Sequence, residues 1–348
     1  MAERRIVIYA QDEFGGRFAK TALSLLRYPP GRILGVVDRS LAGRRVGDLW
    51  SHGSPEAPIK ASLDDFLPEQ PDLLILGVAP RGGSLPTTWI TDLVRALDLG
   101  LEIWNGLHHH LLDVPDIAAA AARNGGKVWD TRRHSRTYPV GTCRALDLPC
   151  TIVLTVGSDC ALGKMTAALE LTFALQRLGV NARFLPTGQT GMMIAGYGLA
   201  VDSVVSDFVS GAVETLLLEE HRDAEVLVVE GQGGIHHPGY GAVTLGLLHG
   251  TLPHYLLFCH EPSRLCCKDT QVHLPELETI LETYVDLLSH LRVPQYLGFA
   301  VNGRKLAPAE RESLFLDYRR RFGLPVYDPL VDGSDALAAE LVRRMRAK

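Results

Sequence analysis

Apolar positions in this chain come in short blocks that switch between two spacings. Residues 5–10, 33–38, 73–78, 101–104 and 127–130 are compact apolar runs, each read as a buried strand. Residues 17–27, 88–97 and the alanine-rich 115–123 place apolar side chains at helical spacing. This alternation predicts a parallel sheet with helices on both faces, a Rossmann-like domain over residues 1–130. The pattern then lapses. Arg132-Arg133-His134-Ser135-Arg136 is basic and aperiodic, and Pro139, Gly141 and Pro149 break structure, so 131–150 reads as a linker. Alternation resumes over 151–348. Strands are expected at 151–156, 183–186, 225–230, 255–259 and 296–301, with helices at 165–178, 206–221, 275–291, 309–322 and 334–346. The expected fold class is α/β, with two domains each built on a parallel sheet.

The strand opening the second domain runs into Gly157-Ser158-Asp159-Cys160-Ala161-Leu162-Gly163-Lys164-Met165-Thr166 and then into a helix. A strand, a glycine-bearing turn and a helix start in that order make a phosphate-binding loop. Backbone N–H groups curl round the anion, the helix aims its positive end at it, and the lysine adds a full charge. Gly157, Ser158, Gly163, Lys164, Met165 and Thr166 are therefore the expected contacts to a phosphorylated cofactor. The loop departs from the common form twice. Five residues separate Gly157 from Gly163, and Met165 stands where a magnesium-binding hydroxyl is usual, with Thr166 one step later.

Glu230 closes the apolar run Val226-Leu227-Val228-Val229 and precedes Gly231-Gln232-Gly233-Gly234. At the carboxyl end of a parallel strand it faces the same side as the loop, as a magnesium ligand or catalytic carboxylate, or alternatively as a turn cap. Residues 187–207 are dense in glycine and read as a flexible wall of the site, with Gly188, Gln189 and Thr190 as cofactor contacts. Asp207 is either a metal or substrate carboxylate or an N-cap. Asp159 is read as a contact to metal or substrate amine, or as a solvated loop residue. Its position in the loop argues against a core role. Asn302 suits an adenine edge or, with Gly303, a turn. If Mg²⁺ is used, Thr166, Asp207 and Glu230 are its expected ligands. Arg264, Lys268, Arg304 and Lys305 are cations near ligand-facing strand ends.

Composition narrows the function classes. The 348 residues carry 46% hydrophobic and 22% charged residues, as in an ordinary globular chain. A net charge of −5 and a pI near 6.2 provide no electrostatic footprint for nucleic acid or an anionic membrane. No apolar stretch is long enough to span a bilayer, and the 6–10 run is too short for a secretory core, so a cytoplasmic location is expected. The six cysteines show no C-x-x-C pair and read as reduced thiols. Neither His108-His109-His110 nor His236-His237 has chelating spacing, so a structural metal is not expected. The first turn, Ala10-Gln11-Asp12-Glu13-Phe14-Gly15-Gly16, lacks the dinucleotide fingerprint and holds two acids, leaving Asp38 as its one remnant. NAD is not expected. Oligomeric state, including a homo-oligomer, stays open.

Two resemblances add to this. The loop 157–164 together with Glu230-Gly231-Gln232-Gly233-Gly234 resembles dethiobiotin synthase, which implies Lys164 on nucleotide phosphates, Glu230 on Mg²⁺ and Asn302 on adenine. That family carries Thr where Met165 stands and has no such N-terminal domain. Over nearly its full length the chain is similar to the domain-of-unknown-function 1611 family. The similarity runs through Gly77-Val78-Ala79-Pro80-Arg81-Gly82-Gly83, Gly106-Leu107-His108, the loop, Gly188-Gln189-Thr190-Gly191, Asp207-Phe208-Val209 and Glu230-Gly231-Gln232-Gly233. It implies transfer of an acetyl group from acetyl-CoA to the amine of a small amino-acid substrate, D-glutamate. His108, Asp159 and Glu230 are then the candidate bases. Coenzyme A and ATP both carry the adenosine and phosphates such a loop can hold. An ATP- and Mg²⁺-dependent ligase or phosphotransferase and a nucleotide-sensing protein without turnover remain the alternatives.

Overall fold

The computed structural model describes residues 3–16, 18–50, 53–78 and 80–347. Arg17, expected to open the first helix, and Ala79 of the 77–83 motif lie outside them. The chain divides into two compact units, Met1–Ser135 with Gln189–Ala200, and Arg136–Gly188 with Val201–Lys348.

The first unit contains β1 (Arg5–Tyr9), α1 (Lys20–Arg27), β2 (Arg32–Val37), β3 (Ile59–Lys60), β4 (Leu73–Leu76), α2 (Ile90–Asp98), β5 (Glu102–Asn105), α3 (Pro115–Asn124) and β6 (Val128–Asp130). All pairings are parallel, in the order β3-β2-β1-β4-β5-β6. This is the strand order of the dinucleotide-binding fold. Ile6, Val7, Ile8 and all four residues of β4 are buried, as expected for strands covered on both faces.

The second unit begins its sheet at β7 (Thr151–Gly157). There follow α4 (Lys164–Arg177), β8 (Ala182–Leu185), α5 (Gln189–Ala195, which packs with the first unit), α6 (Val209–Glu220), β9 (Val226–Val229) and α7 (Gly241–Thr251). The chain ends with β10 (Tyr255–His260), α8 (Leu277–Asp286), β11 (Gln295–Val301), α9 (Pro308–Phe322), β12 (Val326–Tyr327) and α10 (Asp335–Arg346). The parallel order is β12-β11-β10-β7-β9-β8. Strand β7 is central, so the loops leaving β7, β9, β10 and β11 gather at the carboxyl edge of the sheet, where such folds bind ligands.

Two expectations need correction. Residues 187–207 are not an open glycine-rich wall. Met192 and Met193 drive a helix there, Met193 is fully buried in the first unit's core, and a second short helical turn covers Val201–Ser203. Helix α7 was not anticipated, because Gly241, Gly246 and Gly250 depress helix propensity. They are needed for packing. A Cβ at Gly250 would meet the Ser210 carbonyl at 2.6 Å, so glycine lets α7 lie close against α6.

Candidate functional site

The phosphate loop is built where β7 gives way to α4. Gly163 takes φ +103°, a left-handed conformation that glycine adopts freely, and Ala161 is held at φ +57° without that freedom. Beside it runs the chain leaving β9. A Cβ on Gly231 would sit 1.6 Å from the Thr155 carbonyl oxygen, so only glycine allows this backbone contact. The Gly231 N–H donates to Thr155 Oγ1 at 2.8 Å. Fully buried Tyr284, from α8, joins the two segments. Its hydroxyl donates to the Gly157 carbonyl (2.9 Å) and accepts from the Ile235 N–H (3.3 Å).

Ser158, Asp159, Lys164 and Glu230, all expected at the site, converge at this junction. Lys164 is buried, and its Nζ donates to the carbonyls of Asp159 (2.8 Å) and Gly233 (2.7 Å), so the ammonium is already placed at the loop. Ser158 Oγ pairs with His260 Nδ1 at 2.8 Å, and burial pushes the His260 imidazole down to about 4, so it is neutral at physiological pH. The Glu230 carboxylate is buried and accepts from the N–H groups of Thr187 (3.1 Å) and Gly188 (3.3 Å) through Oε2. That cradle holds the chain leaving β8 against the end of β9.

Asp159 departs from the solvated-loop alternative and does sit in the interior: it is fully buried. Its Oδ2 accepts from Arg264 Nη1 (2.8 Å) and the Lys268 N–H (2.7 Å), while Oδ1 is buried with no partner among the described residues. Arg264 also reaches Glu261, whose other oxygen is paired with Lys305. Thus Arg264, Lys268 and Lys305, named only as undifferentiated cations by sequence, form one network: Arg264 bridges Asp159 and Glu261, Lys268 contributes its backbone N–H to Asp159, and Lys305 pairs with Glu261.

On the other side of the loop, Gly163 and Thr166 share an open, shallow depression with Asn302, Asp328 and Leu330. Asn302 is not in the turn that follows, which runs from Gly303 to Leu306. Its backbone N–H donates to the His260 carbonyl, its Oδ1 accepts from Arg304, and its amide NH₂ has no protein partner among the described residues. Asp328 is buried and fixes the far wall by accepting from the N–H groups of Gly303 and Leu330.

The other expected residues lie elsewhere. His108 is exposed in the first unit, on a turn pinned by the buried Asn105–Asp130 pair, in which Asn105 donates to Asp130 at 2.7 Å and accepts from the Leu107 N–H. Gln189 accepts from Arg132 and packs over Gly106, and Thr190 pairs with Thr21, all within the first unit. Gly188 stays in the second unit, beside Glu230 and Gln232. Asp207 is exposed in a short helical turn, and the caps of α6 use no side chain. Asp38 is fully buried, accepting from the N–H groups of Phe14 and Ser40 and from the Ser40 hydroxyl. Its carboxylate holds the first turn together.

A model of the N-terminal Rossmann-like domain of DUF1611 matches residues 39–134, and one of its C-terminal P-loop domain matches 139–338. The chain belongs to the DUF1611 family. A crystal structure of a DUF1611 family protein from Anabaena variabilis ATCC 29413 superposes with a TM-score of 0.92 at 33% identity, covering 98% of this chain and 99% of that one. A D-glutamate N-acetyltransferase from Tritonibacter scottomollicae is 32% identical over 346 residues, 97% of this chain and all of the relative. A second protein of that name, from a Pseudoalteromonas species, is 33% identical over 77% of this chain and 80% of its own length.

Sequence reading missed His260, Tyr284 and the pairing of Arg264 with Asp159. His260 and Arg264 lie in or just beyond the apolar run 255–260, and the rule that parallel strands present ligands at their carboxyl ends would have flagged them. Among the described residues, the one group of three metal-capable side chains is Asp159, Cys160 and His237; Glu230 and Asp207 are not part of it. Spacing rules did not find it because its donors come from loops far apart in sequence.

Proposed function

We propose that this DUF1611 protein is an N-acetyltransferase that moves the acetyl group of acetyl-CoA to the amine of an acidic amino acid, with D-glutamate as the leading substrate. The observation that carries the reading is the 32% identity to a D-glutamate N-acetyltransferase over 97% of the chain, both units included. The site's chemistry supports it. Coenzyme A presents a pyrophosphate and a 3′-phosphate on adenosine, matched to the loop N–H groups and Lys164. The depression beside Gly163, with the amide of Asn302 on its wall, suits the adenine.

In acetyl transfer the amine nitrogen attacks the thioester carbonyl, a C–N bond forms, the C–S bond breaks, and the thiolate leaves and takes up a proton. The ammonium must first lose a proton to a base, and the tetrahedral oxyanion needs donors. Glu230 is the leading base. Asp159 Oδ1, buried and without a partner among the described residues, is an acceptor for an ammonium. Loop N–H groups are donors for the oxyanion. No step is routed through Mg²⁺. If the loop instead takes ATP, Thr166 and Glu230 are the hard oxygen donors that would hold the ion, since the thioether of Met165 does not suit it.

A thermal-shift panel of acetyl-CoA, coenzyme A, ATP, ADP and NAD, each with and without Mg²⁺, tests the assignment, because a ligand of the native state stabilises it by mass action. Stabilisation by acetyl-CoA and coenzyme A without Mg²⁺ is expected. Stabilisation by ATP alone, dependent on Mg²⁺, with amine-dependent ADP formation, would replace this reading by the ligase. ATP binding without consumption would replace it by a nucleotide sensor.

A further inference from the structure

We infer that Asp159, Cys160 and His237 form a binding site for a zinc-like divalent cation, with a fourth coordination position left for water or a ligand. One donor atom from each residue lies within 4.8 Å of the other two. The edges of a tetrahedron with zinc bond lengths are roughly 3.3–3.8 Å, so side-chain adjustment is enough to close the set.

Asp159 supplies an independent observation. Its carboxylate is fully buried, Oδ2 is committed to Arg264 and Lys268, and Oδ1 has no partner among the described residues. A buried carboxylate oxygen left unpaired in the protein is the mark of a missing ligand. The Cys160 thiol, half-buried on the next residue, makes no hydrogen bond among the described residues. The His237 ring is buried and held on both sides. Nε2 faces the Lys268 carbonyl at 3.0 Å, and Nδ1 accepts from the Gly239 N–H at 3.0 Å. Facing a carbonyl, Nε2 carries the ring proton, so Nδ1 is the nitrogen that would take the metal, giving up the Gly239 N–H, while Nε2–H keeps the Lys268 carbonyl that orients the ring, as ligating histidines usually require.

The donor set decides the metal class. A carboxylate oxygen, a thiolate sulfur and an imidazole nitrogen match borderline-soft Zn²⁺ and exclude Mg²⁺ and Ca²⁺, which take oxygen ligands. Two anionic donors balance a divalent charge, and Glu261 offsets Arg264 alongside. Three protein ligands leave a position open, as in catalytic rather than structural zinc sites. This inference does not depend on the acetyl-transfer reading; where the cation binds, it takes Asp159 Oδ1 in place of the substrate ammonium.

The test uses the full chain, stripped with a chelator and titrated with Co²⁺. The expected result is a thiolate-to-cobalt charge-transfer band with the strong ligand-field bands of low-coordinate cobalt, saturating at one equivalent and displaced by Zn²⁺. C160S should abolish the charge-transfer band. H237Q should weaken Zn²⁺, measured against a competing dye, by more than about 100-fold, beyond the usual effect of losing an outer-sphere partner. In the wild-type protein, Zn²⁺ should also protect Cys160 from alkylation, a readout independent of whether the variants fold. Absence of the band in wild type overturns the inference. So does a band that survives C160S but is lost in C266S, which would place the metal at the Cys266–His273 pair, 3.8 Å apart.

Discussion

Replacing Lys164 by methionine keeps the aliphatic stem that packs in the loop and removes only the charged end. The ammonium donates to the carbonyls of Asp159 and Gly233, at 2.8 and 2.7 Å. A bound phosphate must therefore compete with contacts already made, and the net gain is that of one charge-assisted hydrogen bond, about 1.5–3 kcal/mol. At roughly 1.4 kcal/mol per tenfold, K164M should bind coenzyme A about 10- to 150-fold more weakly. The Gly233 carbonyl is part-buried, but the Asp159 carbonyl is buried and loses its donor, so K164M should also be less stable by about 1–3 kcal/mol, which a folded domain tolerates. Isothermal titration of both proteins with coenzyme A, alongside far-ultraviolet circular dichroism, provides the check. Equal affinity in a folded K164M would refute the assignment of this loop to cofactor phosphate.

Three further outcomes follow from the same geometry. G231A drives a methyl into the Thr155 carbonyl and breaks the 2.8 Å hydrogen bond to Thr155 Oγ1. Overpacking and the lost bond together should cost about 2–4 kcal/mol, read as an earlier midpoint in urea. His260 is buried with its imidazole pushed down to about 4. The unfolded chain takes up a proton near pH 6.5 that the folded one refuses, so stability is lost as pH falls from about 6.5 towards 4, by on the order of 3 kcal/mol. H260N should flatten that part of the calorimetric stability–pH profile, and an unchanged slope would contradict the buried neutral imidazole. E230Q keeps the shape of the side chain but removes the charge, and should lower turnover by at least about 100-fold, the lower range for a general base. H108A, altering an exposed residue of the first unit, is the comparison for a base outside this unit.

Both sheets were legible in the sequence because buried parallel strands are continuous apolar runs, and Arg5–Tyr9, Leu73–Leu76 and Val226–Val229 are of that kind. The loop was legible because glycine, lysine and a helix start fall in a fixed local order. What depends on tertiary contact was hidden. Gln189 and Thr190 look like site residues beside Gly188, yet their side chains pair with Arg132 and Thr21 in the first unit. Gly250 reads as a helix breaker until α6 is seen against it. Asp38 resembles a ribose ligand by position, and only its contacts to Phe14 and Ser40 reveal a turn-holding carboxylate. Asp159 read as a site acid or a solvated loop residue, and its burial stayed hidden because the partner that holds it, Arg264, is distant in sequence.

The most direct measurement is thiol release from acetyl-CoA without ATP, followed with D-glutamate, L-glutamate and other acidic amino acids as acceptors. The thioester is already activated, so no nucleotide hydrolysis is required. Amine-dependent thiol release, highest with D-glutamate and accompanied by the N-acetylated product, is the predicted result. No thiol release with any acceptor, together with acceptor-dependent ADP formation from ATP and Mg²⁺, would contradict it.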